Sequence, residues 1–348
     1  MTVAQSSMAL NSLRPDDVAA VPSEVVARIS KARNVLTVCH ENPEADALGS
    51  ALALALAVEY LGGNATPVCA DPVPPMYGFM PHIDRFRQDP EPDRDYDLIV
   101  VGDCGDLERI GPVLARNAEL FGRVPIVNID HHISNPGFGV VDWIDATAAA
   151  TCEMNTLLMP ALGVPLDALD GGIAANLMAG VVIDTANFQH PNVTPRTLRV
   201  AAELVAAGAP LSETARLIYR TKPNRQLKLF GRVLGTLDSE LDGRLVWASL
   251  DEADYAVTGA GPADAEGLSD LLSQSDSAEL MILFRQTGER TKISVRTRED
   301  GPDSTVLTGA FGGGGHARAA GATIDMPPEQ ARHAVLEVAR RMLSESGD

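Results

Sequence analysis

The sequence predicts an α/β fold: a parallel sheet with helices on both faces, followed by a smaller α+β domain. Three observations carry this expectation. From residue 35 onward short β-type runs alternate with longer helical stretches. The runs are apolar throughout instead of alternating, as strands covered on both faces are. The texture then changes after about residue 240, where strand-like runs cluster without long helices between them.

Taken in order, the predicted strands of the first domain are VLTVCH (35–40), ATPVCA (65–70), DLIVVGD (97–103), PIVNID (125–130) and GVVID (180–184). Helical patterns occupy 46–61, 112–121 and 147–162. A mostly helical zone follows, with starts at Thr194 or Pro195, at Leu211 and at Pro223, the last helix running to about residue 237. RLVWASL (244–250), AELMILFRQ (278–286) and TKISVRT (291–297) read as strands of the second domain. FGGGGHARAAGATI (311–324) and a helix from Pro327 or Pro328 complete it. The expected organisation is a loose tail over 1–20, a first domain over 21–207, a helical connector over 208–240 and a second domain over 241–348.

Composition narrows the class. The chain has 348 residues, of which 47 are acidic and 28 basic, for a net charge of −19. With 45% apolar residues it can bury real cores, which excludes a disordered chain. The acidic balance argues against binding long duplex nucleic acid, which relies on basic surface and counterion release. Four scattered cysteines, with no Cys-x-x-Cys pair, argue against a zinc finger or disulfide scaffold, and Cys39 and Cys104 read as small core residues. The longest apolar stretch, residues 47–58, is too short to span a bilayer, and the first twenty residues lack a signal-peptide pattern. A cytoplasmic protein with no membrane partner is expected, and its apolar helices would suit a homodimer.

The informative pattern is where acidic residues and histidines fall. His40 ends the first predicted strand, and the ENPEADALGS that follows carries Glu44 and Asp46. Asp103 ends the third strand, Asp130-His131-His132 the fourth, and Asp184 the fifth. In an open parallel sheet the carboxyl ends of the strands line the ligand crevice, so these groups would meet there. Four clustered carboxylates repel one another unless a cation intervenes, and two divalent cations would balance them. Mixed carboxylate and imidazole ligands suit manganese, magnesium or iron, and a pair of such ions is a standard device for attacking phosphoesters. Any one of these aspartates alone reads as a turn or helix-cap residue, with Asp46 well placed to cap the helix that follows it. Their joint fall at strand ends favours the metal reading.

A second pattern is the glycine run FGGGGHARAAG, in which Gly313, Gly314 and Gly315 precede His316. Glycines allow close backbone approach to an anion, and His316 would present a donor to it. Arg296 and Arg298 lie upstream on one face of the predicted strand KISVRTR, and Arg318 lies just behind, all suited to phosphate. A flexible loop with solvated arginines is the plainer alternative.

With these residues the chain resembles the DHH phosphoesterases, named for the Asp-His-His seen here as Asp130-His131-His132. The resemblance runs from about Val35 to the C-terminal domain, where FGGGGHARAAG is similar to the Gly-Gly-Gly-His motif of the DHH-associated domain. It points to the nano-RNase subgroup, which degrades very short oligoribonucleotides and removes the 3′-phosphate of 3′-phosphoadenosine 5′-phosphate (pAp). Relatives also cleave cyclic dinucleotides, cyclic di-AMP in particular, or their linear products. The resemblance implies two divalent cations, manganese foremost. His40 and Glu44 would bind one, Asp46, His131 and Asp184 the other, and Asp103 would bridge them. It places His132 near the scissile phosphate, with Asp130 supporting the histidines. It implies that Arg296, Arg298, His316 and the glycine loop hold the far end of a short nucleotide. Glu44 departs from the family's His-x-x-Pro-Asp-x-Asp motif, in which the first carboxylate is an aspartate. That departure favours one alternative, a nucleotide-binding regulatory protein with a weakened metal site. A DHH-type inorganic pyrophosphatase is the other; it uses lysines and arginine where this chain presents His316.

Overall fold

The computed structural model describes residues 13–345. The chain divides into two units between Thr221 and Lys222.

In the first unit, β1 (Asn34–Val38), β2 (Asn64–Val68), β3 (Leu98–Gly102), β4 (Ile126–Asp130) and β5 (Val141–Ile144) form one sheet in the order β2-β1-β3-β4-β5. Every pairing is parallel. Strand order reverses beside β1, so the carboxyl ends of β1 and β3 flank the switch point where such sheets bind ligands. Successive residues bury on opposite faces. Val35, Val100 and Val127 join a core with the helices of one face, whereas Leu36, Ile99 and Val101 pack with Ile110, Val113 and Phe121 on the other. This two-sided burial is why the strands read as unbroken apolar runs.

Nine α-helices complete the unit among the described residues, beside three short 3-10 turns. They are α1 (Pro15–Ala19), α2 (Ser23–Lys31), α3 (Ala45–Tyr60), α4 (Pro112–Arg116), α5 (Ala118–Arg123), α6 (Thr151–Ala161), α7 (Gly172–Asp184), α8 (Pro195–Ala206) and α9 (Leu211–Tyr219). Helices α3 and α7 are buried on nearly every side, which explains why neither shows an amphipathic pattern.

Four expectations are corrected here. GVVID (180–184) is no strand: it is the last turn and a half of α7, and Asp184 therefore ends a helix. A short buried apolar run does not distinguish strand from helix, but the apolar stretch of α7 begins eight residues earlier, longer than a typical strand. The fifth strand is instead Val141–Ile144, whose exposed Asp142 interrupts its apolar pattern. The 112–121 pattern is two short helices broken at Asn117, and Thr151, not residue 147, starts α6. Within the expected loose tail, residues 1–12 lie outside the described residues. Pro15–Ala19 form a helical turn held by the Asp17–Arg199 ion pair at 2.9 Å.

The second unit carries a six-stranded sheet, β6 (Asp238–Glu240), β7 (Leu245–Leu250), β8 (Leu280–Thr287), β9 (Arg290–Thr297), β10 (Gly314–His316) and β11 (Ala319–Ile324), in the order β10-β11-β9-β8-β7-β6. Only β7 and β8 run parallel. Helices α13 (Ser304–Gly309) and α14 (Pro328–Glu345) close a core over one face, with Ile282, Phe284, Val295 and Val335 inside. Helices α10 (Asn224–Leu234), α11 (Glu252–Thr258) and α12 (Leu268–Leu272) cover Val246, Met281 and Leu283 on the other. Among the described residues no helix is long and apolar enough to cross a membrane.

Candidate metal centre

The sheet brings six donor side chains together at its carboxyl edge. They form two sets, His40 with Glu44 and Asp103, and Asp46 with His131 and Asp184; within each set the ligand atoms lie within 4.8 Å of one another. His40 follows β1. Its Nδ1 donates to the Glu41 carbonyl at 2.7 Å, which turns Nε2 toward Glu44 Oε1 and Asp103 Oδ2, each 3.6 Å away. Asp103 follows β3 in the left-handed region, at φ 55°, a conformation aspartate tolerates better than most residues. Its Oδ1 accepts from Thr151 Oγ1 at 3.2 Å and lies 3.5 Å from His131 Nε2. His131 Nε2 is also 3.3 Å from Asp184 Oδ2 at the end of α7. Asp103 thus faces both sets.

Helix ends hold three of the carboxylates. Glu44, not Asp46, caps α3: its two oxygens accept from the amides of Ala47 and Asp46, both at 3.1 Å. Asp46 instead crosses to α6, where its carboxylate accepts from the amides of Thr151 at 2.6 Å and Cys152 at 2.8 Å. The N-terminal dipole of α6 favours that negative charge. Asp184 stands at the opposite kind of helix end, where the dipole disfavours it. Helices α7 and α3 pack closely through two glycines: a Cβ at Gly180 would collide with Asp46 Oδ1, and one at Gly49 with the Asn176 carbonyl.

Crowding sets the protonation of the metal-free centre. Burial works against a charge on His40, yet hydrogen bonds to Asp103 and Glu44 push its pKa to about 10. Burial likewise opposes charge on His131, and Asp103 and Asp46 carry it to about 9. Burial and the charge of Asp103 raise Asp46 to about 7. Burial and Asp46 hold Asp184 well above the carboxylate range. Asp103 resists its own burial because His131 and His40 keep it well below. Protons therefore fill the role of counter-charge, and the oxygen and imidazole donors fit a divalent cation that would take their place.

His132 sits at the rim, its side chain 35% exposed. Its Nδ1 is 2.7 Å from Asp130 Oδ1, and the other Asp130 oxygen accepts from Asn135 Nδ2 at 2.6 Å. Sequence reasoning missed Thr151, Gly180 and Asn135. Nothing in one sequence marks them, since each acts through a partner distant in the chain.

In the second unit, His316, Ala319 and Arg296 lie side by side on β10, β11 and β9, so His316 and Arg296 share one face of the sheet. Arg296 is bonded to Asp270 at 3.1 Å. Arg298 lies one residue past β9 and does not continue the face of Arg296 along a strand. Arg318 binds the carbonyls of Arg298 and Gly301, at 2.7 and 2.6 Å, and so anchors a turn. Gly313 and Gly315 run so close to β11 that a Cβ on either would strike its backbone, whereas Gly314 faces open space. Two of the three glycines thus have a structural reason to be there.

The chain belongs to the DHH family: residues 34–181 match the DHH family N-terminal domain, and residues 253–345 match the DHHA1 domain. Over 327 residues it is 34% identical to the bifunctional oligoribonuclease and PAP phosphatase NrnA of Thermus thermophilus, covering 93% of this chain and 95% of that relative. It is 26% identical to the protein of that name from Bacillus subtilis, covering 87% of this chain and 93% of the relative. Its fold is similar to that of an exopolyphosphatase-related protein from Bacteroides fragilis, with a TM-score of 0.80, 21% identity and coverage of 95% and 96% of the two chains.

Two outcomes follow for the metal-free protein. Binding a cation must displace the protons of His40 and His131, so affinity rises with pH below about 9. Calorimetric titration with Mn(II) between pH 7 and 9 is expected to show the dissociation constant falling roughly tenfold per unit for each proton displaced. A constant value would mean that neither imidazole carries a proton there. Gly180→Ala, by pressing a methyl group onto Asp46, is expected to cost about 1–3 kcal/mol in urea unfolding and to weaken Mn(II) binding about tenfold. Unchanged values for both would show that α3 and α7 have slack.

Proposed function

We propose that this protein is a two-metal phosphoesterase that hydrolyses short oligoribonucleotides and removes the 3′-phosphate of pAp. The observation that carries the reading is the pair of donor sets, with Asp103 of one lying 3.5 Å from His131 of the other. Similarity along nearly the whole chain to relatives named for those two activities supports the choice of substrates.

His40, Glu44 and Asp103 would hold one cation, and Asp46, His131 and Asp184 the other. The donor set suits Mn(II), with Mg(II) the alternative. When bound, such ions supply a water acidified toward neutral pH and positive charge for phosphoryl oxygens. The residues do the rest. Asp103 sets the spacing of the two sets, and Thr151 fixes the rotation of its carboxylate. Asp46, tied to the end of α6, cannot swing away, which keeps the second set organised before any substrate arrives. His132, turned outward and held on Asp130, would donate to a non-bridging oxygen as charge develops there. On the second unit, His316 and the exposed edge at Gly314 would receive an anionic part of the nucleotide, with Arg296 released from Asp270 to join them.

The test is direct. With Mn(II), pAp is expected to yield AMP and inorganic phosphate, and RNA of two to five nucleotides to yield mononucleotides; Asp103→Ala is expected to abolish both. No product from either substrate with any divalent cation would end the reading. His316→Ala is expected to raise KM about tenfold, the loss of one hydrogen bond to a charged group, with kcat little changed. Unchanged KM on both substrates would remove His316 from the binding site.

A further inference from the structure

Asn135 makes more hydrogen bonds at the centre's back wall than any role assigned so far requires. It is buried, as are Asn128 and Asp130 beside it. Its Oδ1 accepts from the amide of Gly137 at 2.9 Å and from Asn128 Nδ2 at 3.2 Å. A backbone amide can only donate, so the side-chain orientation is fixed and Nδ2 faces the other way. There it donates to Asp130 Oδ2 at 2.6 Å and to the Cys104 carbonyl at 3.1 Å. One amide group thus ties the loop after β3, which carries Asp103, to the end of β4, which carries Asp130.

The consequence falls on His132. Its Nδ1 has two carboxylates within reach, Asp130 Oδ1 at 2.7 Å and Asp103 Oδ1 at 3.7 Å. Asp103, His131 and His132 also bring their ligand atoms within 4.8 Å of one another. The ring therefore has an alternative: pairing with Asp103 and joining the metal ligands. With Oδ2 of Asp130 occupied by Asn135, Oδ1 is presented squarely to Nδ1 of His132. A carboxylate only accepts, so the proton of that bond sits on Nδ1, and Nε2 faces the substrate, where it donates when the ring is an imidazolium. We propose that Asn135 is a positioning residue that keeps His132 on Asp130 and off Asp103, available to the substrate instead of the cation. The inference rests on the phosphoesterase reading above and deepens it.

Four measurements test it on the full-length protein: kcat and KM on pAp, the Mn(II) dissociation constant, the melting temperature, and the proton resonance of His132 Nδ1–H. The wild type is expected to show that resonance far downfield, as a proton in a short bond to carboxylate is. Asn135→Ala is expected to lower kcat by about 10- to 100-fold, the usual effect of losing an outer hydrogen-bond partner at a metal site. KM should stay within about twofold, Mn(II) affinity should change because His132 can then reach Asp103, and the resonance should shift or vanish. Asn135→Ser, which restores a short donor, is expected to recover part of kcat. A kcat within twofold of wild type overturns the proposal, as does an unchanged Mn(II) affinity or a serine variant no better than alanine. If Asn135→Ala does not fold, the serine variant and the wild-type resonance still decide: absence of the downfield proton overturns it. Inactivity of the wild type on both pAp and RNA would sink the phosphoesterase reading instead, leaving the resonance to judge Asn135.

Discussion

Like charges in a small space are the constraint on which this molecule turns. Glu44, Asp46, Asp103 and Asp184 converge at one edge of the first unit's sheet, and that many carboxylates cannot all ionise unless something positive stands among them. The fold supplies part of the answer through helix ends, as with Asp46 at α6 and Glu44 at α3. Imidazolium groups supply another part in the metal-free protein, with His40 and His131 holding protons well above neutrality. What remains is an appetite for divalent cations built into the backbone path. The activity assigned to this chain is one use of it.

The legible portion of the centre was the portion attached to strands. His40, Asp103 and Asp130 follow or end apolar runs, and such runs in a parallel sheet all deliver their last residues to one edge. Asp184 reaches the cluster from a helix. Its run reads as a strand because α7 is so thoroughly buried that its sequence lacks the polar stripe that marks a surface helix. Asp46 reads as the cap of α3, a place that Glu44 takes, for a different cause. Local spacing favoured Asp46 as the cap of α3, whereas its true partners, the amides of Thr151 and Cys152, lie more than a hundred residues away. Contacts of that kind leave no trace in local pattern. Asn135 and Gly180 were illegible on the same ground.

The second unit carries a similar lesson about glycine. Four glycines before a histidine invite a ligand-binding reading, and His316 does share a sheet face with Arg296. Yet Gly313 and Gly315 are required by the closeness of β10 to β11, whatever the loop binds. Arg318, similarly, spends its guanidinium on backbone carbonyls. Positions that look functional in composition can be architectural in space. Gly314 and His316, exposed and unconstrained by packing, are where function has room.

Asp46 answers to two masters, the cluster and the first turn of α6. Any descendant of such a protein that gave up hydrolysis and kept only its shape would still gain from a hydrogen-bond acceptor at this position to seat that helix. Finding the aspartate in a distant member of the family therefore says little about whether that member turns over substrate. His131 and Asp184, which no helix amide depends on, are the more telling survivors when living enzymes are to be sorted from retired ones.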